Sequence, residues 1–257
     1  MISSLLALRS ESRAAISQRF FRTGKGDYGY GDKFLGIANP QVRQLVKTYD
    51  SIPLSDIHDL LMSEWHEARL CGVLILSRQF GKLCTIRLAD DPQAVTRRDE
   101  LLLFYLSHAE RINNWDLVDL SVSDIVGRWL LLPTFLGHGG QVPCLAEDYK
   151  RSVLDELAAS TNLWRQRMSM VCTSTPTRQG NPMWTLRYAE KHVYHPHDLM
   201  HKAVGWMLRE VGKHCGMDIL RSFLETYAST MPRTALRYAI EKMTDEERRY
   251  WMTRRRA

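Results

Sequence analysis

The sequence predicts an all-α protein, an α-solenoid in which stacked antiparallel helix pairs of the HEAT-like kind form a concave basic groove. Three observations favour this architecture. Apolar residues recur with helical spacing, and the alternation typical of β-strands is almost absent. Many of the helices that this spacing predicts are about ten to eighteen residues long, and short turns join them. One helix pair takes about forty residues, the length of a HEAT-like unit.

Breaker residues divide the chain into many helical segments. Asn39 and Pro40 form a start signal, because Asn can cap a helix and Pro fits its first position. We find no strict sequence repeat, so the solenoid depends on element lengths, and a compact helical bundle is the alternative. We expect a single HEAT-like domain over residues 1–257. The predicted helices cover residues 2–21, 40–50, 54–63, 65–82, 92–111, 114–131, 147–159, 162–174, 182–194, 197–214, 216–229, 232–242 and 244–253.

The composition is that of an ordinary globular protein, with 44% hydrophobic and 25% charged residues among 257. A chain of this length can bury a sizeable core without metals or disulfides. Its five cysteines are odd in number and form no C-x-x-C pair, which argues for reduced thiols and against a zinc ribbon. The N-terminus does not resemble a signal peptide, and no apolar run reaches the length of a membrane span. We expect a cytoplasmic monomer.

The net charge of +6 and the isoelectric point near 9.1 fit a polyanionic partner. The excess is modest, and many basic proteins bind nothing charged. Several arginines near the C-terminus fit either a solvated terminus or a DNA contact. They are Arg248, Arg249, Arg254, Arg255 and Arg256.

An acidic residue at the edge of an apolar helix face draws attention to residues 112–120. Asn113 is a suitable N-cap there, so that Asp116 falls at the third helical position, where a carboxylate favours the helix dipole. Asp119 lies past the first turn, one turn after Trp115, on the margin of the apolar face. That face consists of Trp115, Val118, Val122, Ile125, Val126 and Trp129. An acid in this position either pairs with a buried arginine or faces a cleft.

Two further segments place cations beside tryptophans. Arg167 follows Trp164 by three residues and borders an apolar stripe, either as a snorkelling arginine or as the partner of Asp119. The other segment carries one stripe at spacing i, i+4, i+7 and i+11. Its cations can contact phosphates while its indole faces a base or sugar, and the alternative is a solvated face. This stripe consists of Lys202, Trp206, Arg209 and Lys213.

Two other regions receive less specific predictions. The segment from Arg22 to Gly36 has five glycines in fifteen residues, and its composition favours a flexible connection over a phosphate cradle, since the P-loop spacing is absent. Four histidines crowd the chain around Pro196, which separates two predicted helices, so we predict no metal site there. They are His192, His195, His197 and His201.

Several motifs resemble those of the DNA alkylation repair proteins, the HEAT-like alkylpurine DNA glycosylases. They are N-N-W-D-L-V-D at 113–119, W-R-Q-R at 164–167, K-A-V-G-W-M-L-R-E at 202–210, F-L-G-I at 34–37 and M-P-R-T-A-L-R-Y-A-I-E-K at 231–242. The resemblance extends from about residue 20 to about residue 245. The combination of motifs is more specific than any one of them.

The resemblance implies a set of site residues. Trp115 and Trp206 match the family's two active-site tryptophans, Asp119 its catalytic carboxylate and Arg167 its active-site arginine. The family also has a tyrosine near the glycine-rich segment. Its place is taken here by Tyr28 or, as the alternative, by Tyr30.

The implied activity is hydrolysis of the N-glycosidic bond of N3- or N7-alkylated purines in duplex DNA, without metal or cofactor. The alternative is a HEAT-like module that binds nucleic acid or protein without chemistry. Such a module would need only the cations Lys202, Arg209 and Lys213. The joint presence of the four site residues favours the enzyme.

Overall fold

A computed structural model describes residues 1–254, and within this range the protein is all-α, as predicted. The described residues contain no regular strand, only isolated bridges between Lys33 and Trp65 and between Thr134 and Cys144. The solenoid, its groove and the single domain stay predictions. The α-helices are α1 (Ile2–Leu6), α2 (Glu11–Phe20), α3 (Asn39–Thr48), α4 (Leu54–Met62), α5 (His66–Lys82), α6 (Pro92–Ser107), α7 (Trp115–Asp119), α8 (Glu147–Ala159), α9 (Leu163–Val171), α10 (Ser174–Arg178), α11 (Met183–His192), α12 (Asp198–His214), α13 (Met217–Tyr227), α14 (Arg233–Ala239) and α15 (Asp245–Thr253).

Four long predicted helices are broken in the structure, among them 92–111, whose α-helix ends at Ser107. The first is interrupted before Ser10, whose backbone N–H leaves the helical pattern and donates to the carbonyl of Leu35 at 2.8 Å. The segment 162–174 is divided into α9 and α10. The segment 114–131 contains only the short α7, followed by a π-helix at Ser123–Gly127. Short 3₁₀ helices lie at Ile86–Leu88 and Ala109–Arg111.

The N-terminal unit comprises residues 1–125 and 132–144 and is built around α5. Helices α3, α4 and α6 pack against α5, which is buried on most of its circumference. Gly72 allows α4 to come close, since a Cβ at this position would lie 2.9 Å from a methyl carbon of Leu61. Each aliphatic side chain that is fully buried in this way contributes about 1.5–3 kcal/mol.

The end of the glycine-rich segment is fixed by a buried carboxylate. Glu67 accepts hydrogen bonds from the backbone N–H groups of Leu35, Gly36 and Ile37 at 2.8, 2.8 and 3.2 Å. Gly36 has a φ of +76°, and a Cβ there would lie 2.3 Å from the carbonyl oxygen of Ser10. The segment therefore makes defined contacts with α2 and α5, which differs from the flexible connection that its composition favoured.

Among the described residues, the C-terminal unit comprises 126–131 and 145–254, and α12 lies at its centre. Helices α9, α10, α11, α13 and α14 contact α12. The backbones of α12 and α14 approach at Gly205, where a Cβ would lie 2.3 Å from the carbonyl oxygen of Ala235. Lys150 is fully buried, donates to the carbonyl of Leu130 at 3.3 Å and lies over the ring of Trp129. No helix within residues 1–254 is long and apolar enough to cross a membrane.

Candidate functional site

The predicted carboxylate and the first predicted tryptophan lie on the same short helix. α7 begins after Asn114, whose side-chain oxygen accepts from the backbone N–H of Trp115 at 2.9 Å. The prediction of Asn113 as N-cap is wrong by one residue, because the buried Asn114 both caps α7 and donates to Asp32 at 3.3 Å. Trp115 and Asp119 are one turn apart and half-buried. Their side chains therefore lie on one side of α7.

Two phenylalanines from the end of α2 pack against Trp115. The ring of Phe21 stacks on the indole at a centroid distance of 5.4 Å and an interplanar angle of 24°. Phe20 approaches the indole edge-on at 5.9 Å and is 64% exposed. An aromatic surface that reaches solvent at Phe20 thus adjoins Trp115. Rings in this arrangement offer π faces to a base or to a cation.

A buried histidine lies beneath this aromatic surface. His66, the first residue of α5, places Nδ1 2.8 Å from a carboxylate oxygen of Asp32 and Nε2 2.9 Å from one of Asp116. Burial alone would lower the pKa of His66, but the charges and hydrogen bonds of Asp116 and Asp32 outweigh burial and raise the pKa to about 9. The imidazole is therefore cationic at neutral pH.

Arg69, one turn further along α5, completes the charge balance of this cluster. Its guanidinium pairs with Asp32 and donates to the carbonyls of Ser63 and Glu64 at 3.0 and 3.2 Å. Burial tends to raise the pKa of Asp32, but His66 and Arg69 hold that pKa below its usual value. Two carboxylates and two cations thus neutralise each other out of water, as buried charges require.

In the C-terminal unit, Arg167 is buried and donates to the carbonyl of Leu199 in the first turn of α12 at 2.6 Å. A snorkelling arginine would keep its head in water, so that alternative is wrong. Trp206 lies on α12 and is half-buried. Trp115 and Asp119 belong to the N-terminal unit and these two residues to the C-terminal unit, and their convergence in one site stays a prediction.

The cations of the α12 stripe differ in their pairing. Lys202 pairs with Asp198 at 2.7 Å. Arg209 pairs with Glu241, which follows α14, and lies 4.0 Å from Glu210. Lys213 is exposed and has no ion-pair partner among residues 1–254. Of the three cations, Lys213 is therefore the one whose charge is most available to a polyanion.

The histidines around Pro196 have other hydrogen-bond partners. His192, the last residue of α11, lies 2.9 Å from the hydroxyl of Ser169, and His195 lies 2.8 Å from the side-chain oxygen of Gln166. Burial, and then the nearby His195 and Lys191, lower the pKa of His192 to about 4. In the part of the chain that the structure describes, no three His, Cys, Asp or Glu side chains form a group that could hold a metal ion.

The sequence profile of a family described as DNA alkylation repair enzyme matches residues 1–243. The chain belongs to the DNA alkylation repair enzyme family. A solved structure described as a predicted DNA alkylation repair enzyme from Enterococcus faecalis has a similar fold, with a TM-score of 0.65 over 92% of this chain and 97% of that one. The two sequences are 13% identical, so this likeness shows the fold alone. No curated protein matches the chain.

Membership of the DNA alkylation repair enzyme family implies a DNA substrate. Tyr28 is half-buried and Tyr30 is 67% exposed, and both stay candidates for the site tyrosine.

The arginines near the C-terminus have ion-pair partners in two cases. Arg248 pairs with Asp245, and Arg254 pairs with Glu225. The last predicted tail arginines, at positions 255 and 256, lie outside the described residues.

Sequence reasoning missed the residues that surround Trp115 in this family member. Phe20 and Phe21 gave one usable signal, two adjacent aromatics just before the glycine-rich segment. His66 and Asp32 gave none, because a single histidine or aspartate has no periodicity to interpret. Asp116 was explained by the helix dipole, whereas the structure also assigns it a buried histidine partner.

Proposed function

We propose that this protein is a DNA glycosylase that excises positively charged N3- or N7-alkylated purines from duplex DNA. The family of DNA alkylation repair enzymes gives the context, and one observation on the site supports the proposal. Asp119 lies one turn after Trp115 on α7, half-buried, beside an aromatic surface that reaches solvent at Phe20. A carboxylate next to π faces suits a reaction in which positive charge develops on a sugar.

The proposed reaction starts from a leaving group that is already cationic. The C1′–N bond breaks, and its electron pair moves to the base and neutralises the charge there. Asp119 stabilises the oxocarbenium-like sugar that remains and orients the attacking water, as carboxylates do in glycosidases. The water oxygen bonds to C1′, and its proton passes through the carboxylate to solvent. No metal takes part.

The other predicted residues have supporting roles in this proposal. Trp115 and Trp206 contact the sugar and the base through their π faces, at about 0.5–2 kcal/mol each. Arg167 holds a phosphate or the water. The resemblance implies that the base need not be swung into a deep pocket, so the substrate's own charge supplies the selectivity. Lys202, Arg209, Lys213 and Tyr28 are proposed to contact DNA along a concave basic groove.

The test measures release of 7-methylguanine and 3-methyladenine from methylated duplex DNA. We expect Asp119→Asn to lower the rate by at least about a hundredfold while DNA binding persists, because the amide keeps the shape but not the charge. Asp50→Asn is the matched control. Asp50 lies in the same unit and pairs with Arg78 and Lys82 away from α7.

Two outcomes would contradict the proposal in different ways. Equal rates for wild type and Asp119→Asn would remove Asp119 from the mechanism. Binding without release of any cationic purine would favour the second candidate, a non-catalytic binding module. The cations that α12 carries support that alternative, since binding needs them and not Asp119.

A further inference from the structure

His66 connects two segments that are far apart in sequence. Its Nδ1 faces Asp32 of the glycine-rich segment at 2.8 Å, and its Nε2 faces Asp116, the second residue of α7, at 2.9 Å. All three side chains are buried. The bond to the side chain of Asp116 holds the residue that follows Trp115 in the first turn of α7.

The geometry determines the charge of the imidazole. Ionised carboxylates only accept hydrogen bonds, so both ring nitrogens must donate and the ring must carry a proton on each. Four charged side chains face the imidazole: Asp32, Asp116, Arg69 from α5, and Arg111 from the 3₁₀ helix Ala109–Arg111. Arg69 and Arg111 both donate to the carbonyl of Ser63. The two aspartates are the ones that touch the ring.

A second route joins His66 to Trp115 through aromatic packing. The imidazole stacks on Phe34 at a centroid distance of 4.5 Å and contacts Phe21 at 4.9 Å. Phe21 in turn stacks on Trp115. The indole of Trp115 thus packs on Phe21, and Phe21 packs on the imidazolium of His66. The next residue, Asp116, accepts a hydrogen bond from the same imidazolium.

We propose that His66 is a positioning residue, a buried cationic clamp between Asp32 and Asp116 that fixes the indole of Trp115 and, one turn later, Asp119. This inference rests on the proposed function for its catalytic consequence. The clamp exists only while the imidazole is doubly protonated. A neutral imidazole has a single N–H, so loss of that proton breaks one of the two bonds and opens the link between the glycine-rich segment and α7.

The clamp therefore has a pH signature. Asp116→Asn keeps an oxygen that can accept from Nε2 but removes one of the two charges that stabilise the imidazolium. We expect the clamp to open near pH 9 in wild type, in line with the pKa of His66, and at a pH lower by about one unit or more in Asp116→Asn.

The first measurement isolates the fluorescence of Trp115. The emission of each protein is recorded from pH 6 to pH 10, and the emission of the same protein with Trp115→Phe is subtracted. His58→Gln is the control, since His58 is an exposed histidine of the same unit whose ring bonds to His108 at 2.8 Å. We expect the wild-type midpoint to persist in His58→Gln and to fall in Asp116→Asn. Equal midpoints in all three proteins, or no transition in wild type, would overturn the clamp.

The second measurement is the ratio of base-release rates, Asp116→Asn over wild type, at each pH, because this ratio cancels the titration of the substrate itself. We expect the ratio to decline on the order of tenfold between pH 6 and about pH 8.5, in kcat and not in KM, as for a displaced catalytic group. A ratio that does not change with pH would reduce His66 to a purely structural role.

Circular dichroism at each pH checks that the variants are folded. If Asp116→Asn does not fold, Asp32→Asn replaces it with the same expected shift, because Asp32 is the other carboxylate on the ring.

The fluorescence measurement does not depend on catalysis, so it tests the clamp separately from the proposed function. A wild type that shifts its fluorescence but releases no base would disprove the proposed function and leave the clamp standing, and the reverse result would disprove the clamp alone.

Discussion

His66 and His192 are both almost completely buried, with 2% and 3% exposure, yet near neutral pH we expect a cationic ring at His66 and a neutral ring at His192. His66 has a carboxylate at each ring nitrogen, so its pKa rises in spite of burial. The ring of His192 bonds to the hydroxyl of Ser169 and to no carboxylate among residues 1–254, so burial dominates and its pKa falls. At the scale of the residue, the hydrogen-bond partners decide the charge.

His192 makes the stability of the protein sensitive to acid. Its folded pKa of about 4 lies below the unfolded value of 6.5, so its contribution is present above pH 6.5 and is lost as the pH falls towards 4. The loss is at most about 3 kcal/mol, at 1.36 kcal/mol per pKa unit. Urea unfolding at several pH values should give a flatter profile for His192→Gln than for wild type. An equally steep profile in both proteins would assign the acid sensitivity to other groups, and His58→Gln serves as the control.

At the scale of the element, periodicity located the core better than it located the helix ends. Val118, Val122, Ile125 and Trp129 share the predicted apolar face and are all fully buried. The predicted helix over 114–131 is nevertheless broken after α7. The hydroxyl of Ser121 bonds to the carbonyl of Leu117 at 2.6 Å and to Tyr105 at 2.8 Å, and such bonds bend helices. The spacing of apolar residues does not predict these hydrogen bonds of Ser121, and therefore does not predict where the helix ends.

Glycine at position 36 is required by the packing of α2 on the segment before α3. Gly36→Ala places a methyl group 2.3 Å from the carbonyl oxygen of Ser10 at a positive φ. We expect the free energy of unfolding to fall by about 1–3 kcal/mol for the backbone strain, and further for the clash. The measurement is urea unfolding at neutral pH.

The matched control for this substitution is Gly139→Ala in the same unit, because a Cβ at Gly139 meets no atom within 4 Å. We expect its stability to stay within about 0.5 kcal/mol of wild type. If both substitutions cost the same, the approach of Ser10 to Gly36 does not limit stability, and Glu67 alone fixes the segment.

At the scale of the whole molecule, the sequence predicts the all-α class and most helices, because both depend on local spacing. The surroundings of Trp115 could not be predicted in the same way. They join Phe21, Asp32, His66 and Asp116, and no pattern within one helix relates residues so far apart. The predicted residues of the site came from motif resemblance. Trp115 and Asp119 share α7, and the meeting of all four residues in one groove is a prediction.

The net charge of +6 predicts salt-dependent DNA binding, and the ion pairs indicate which cations contribute. Each phosphate contact adds about 0.9 to the slope of log K against log salt concentration. We expect Lys213→Ala to reduce the slope by about that amount, because Lys213 is exposed and has no acidic partner within residues 1–254. Glu241→Gln should instead strengthen binding, since it removes the closer of the two carboxylates, Glu241 and Glu210, that pair with Arg209.

Fluorescence anisotropy with a labelled duplex at several salt concentrations measures both effects. Lys191→Ala is the matched control in the same unit, because Lys191 already pairs with Asp155 at 2.8 Å and its charge is balanced. A control that changes the slope as much as Lys213→Ala would mean that net charge, and not the α12 stripe, governs binding. In that case the stripe would lose its role in DNA recognition, while the chemistry proposed for Asp119 would stand on its own test.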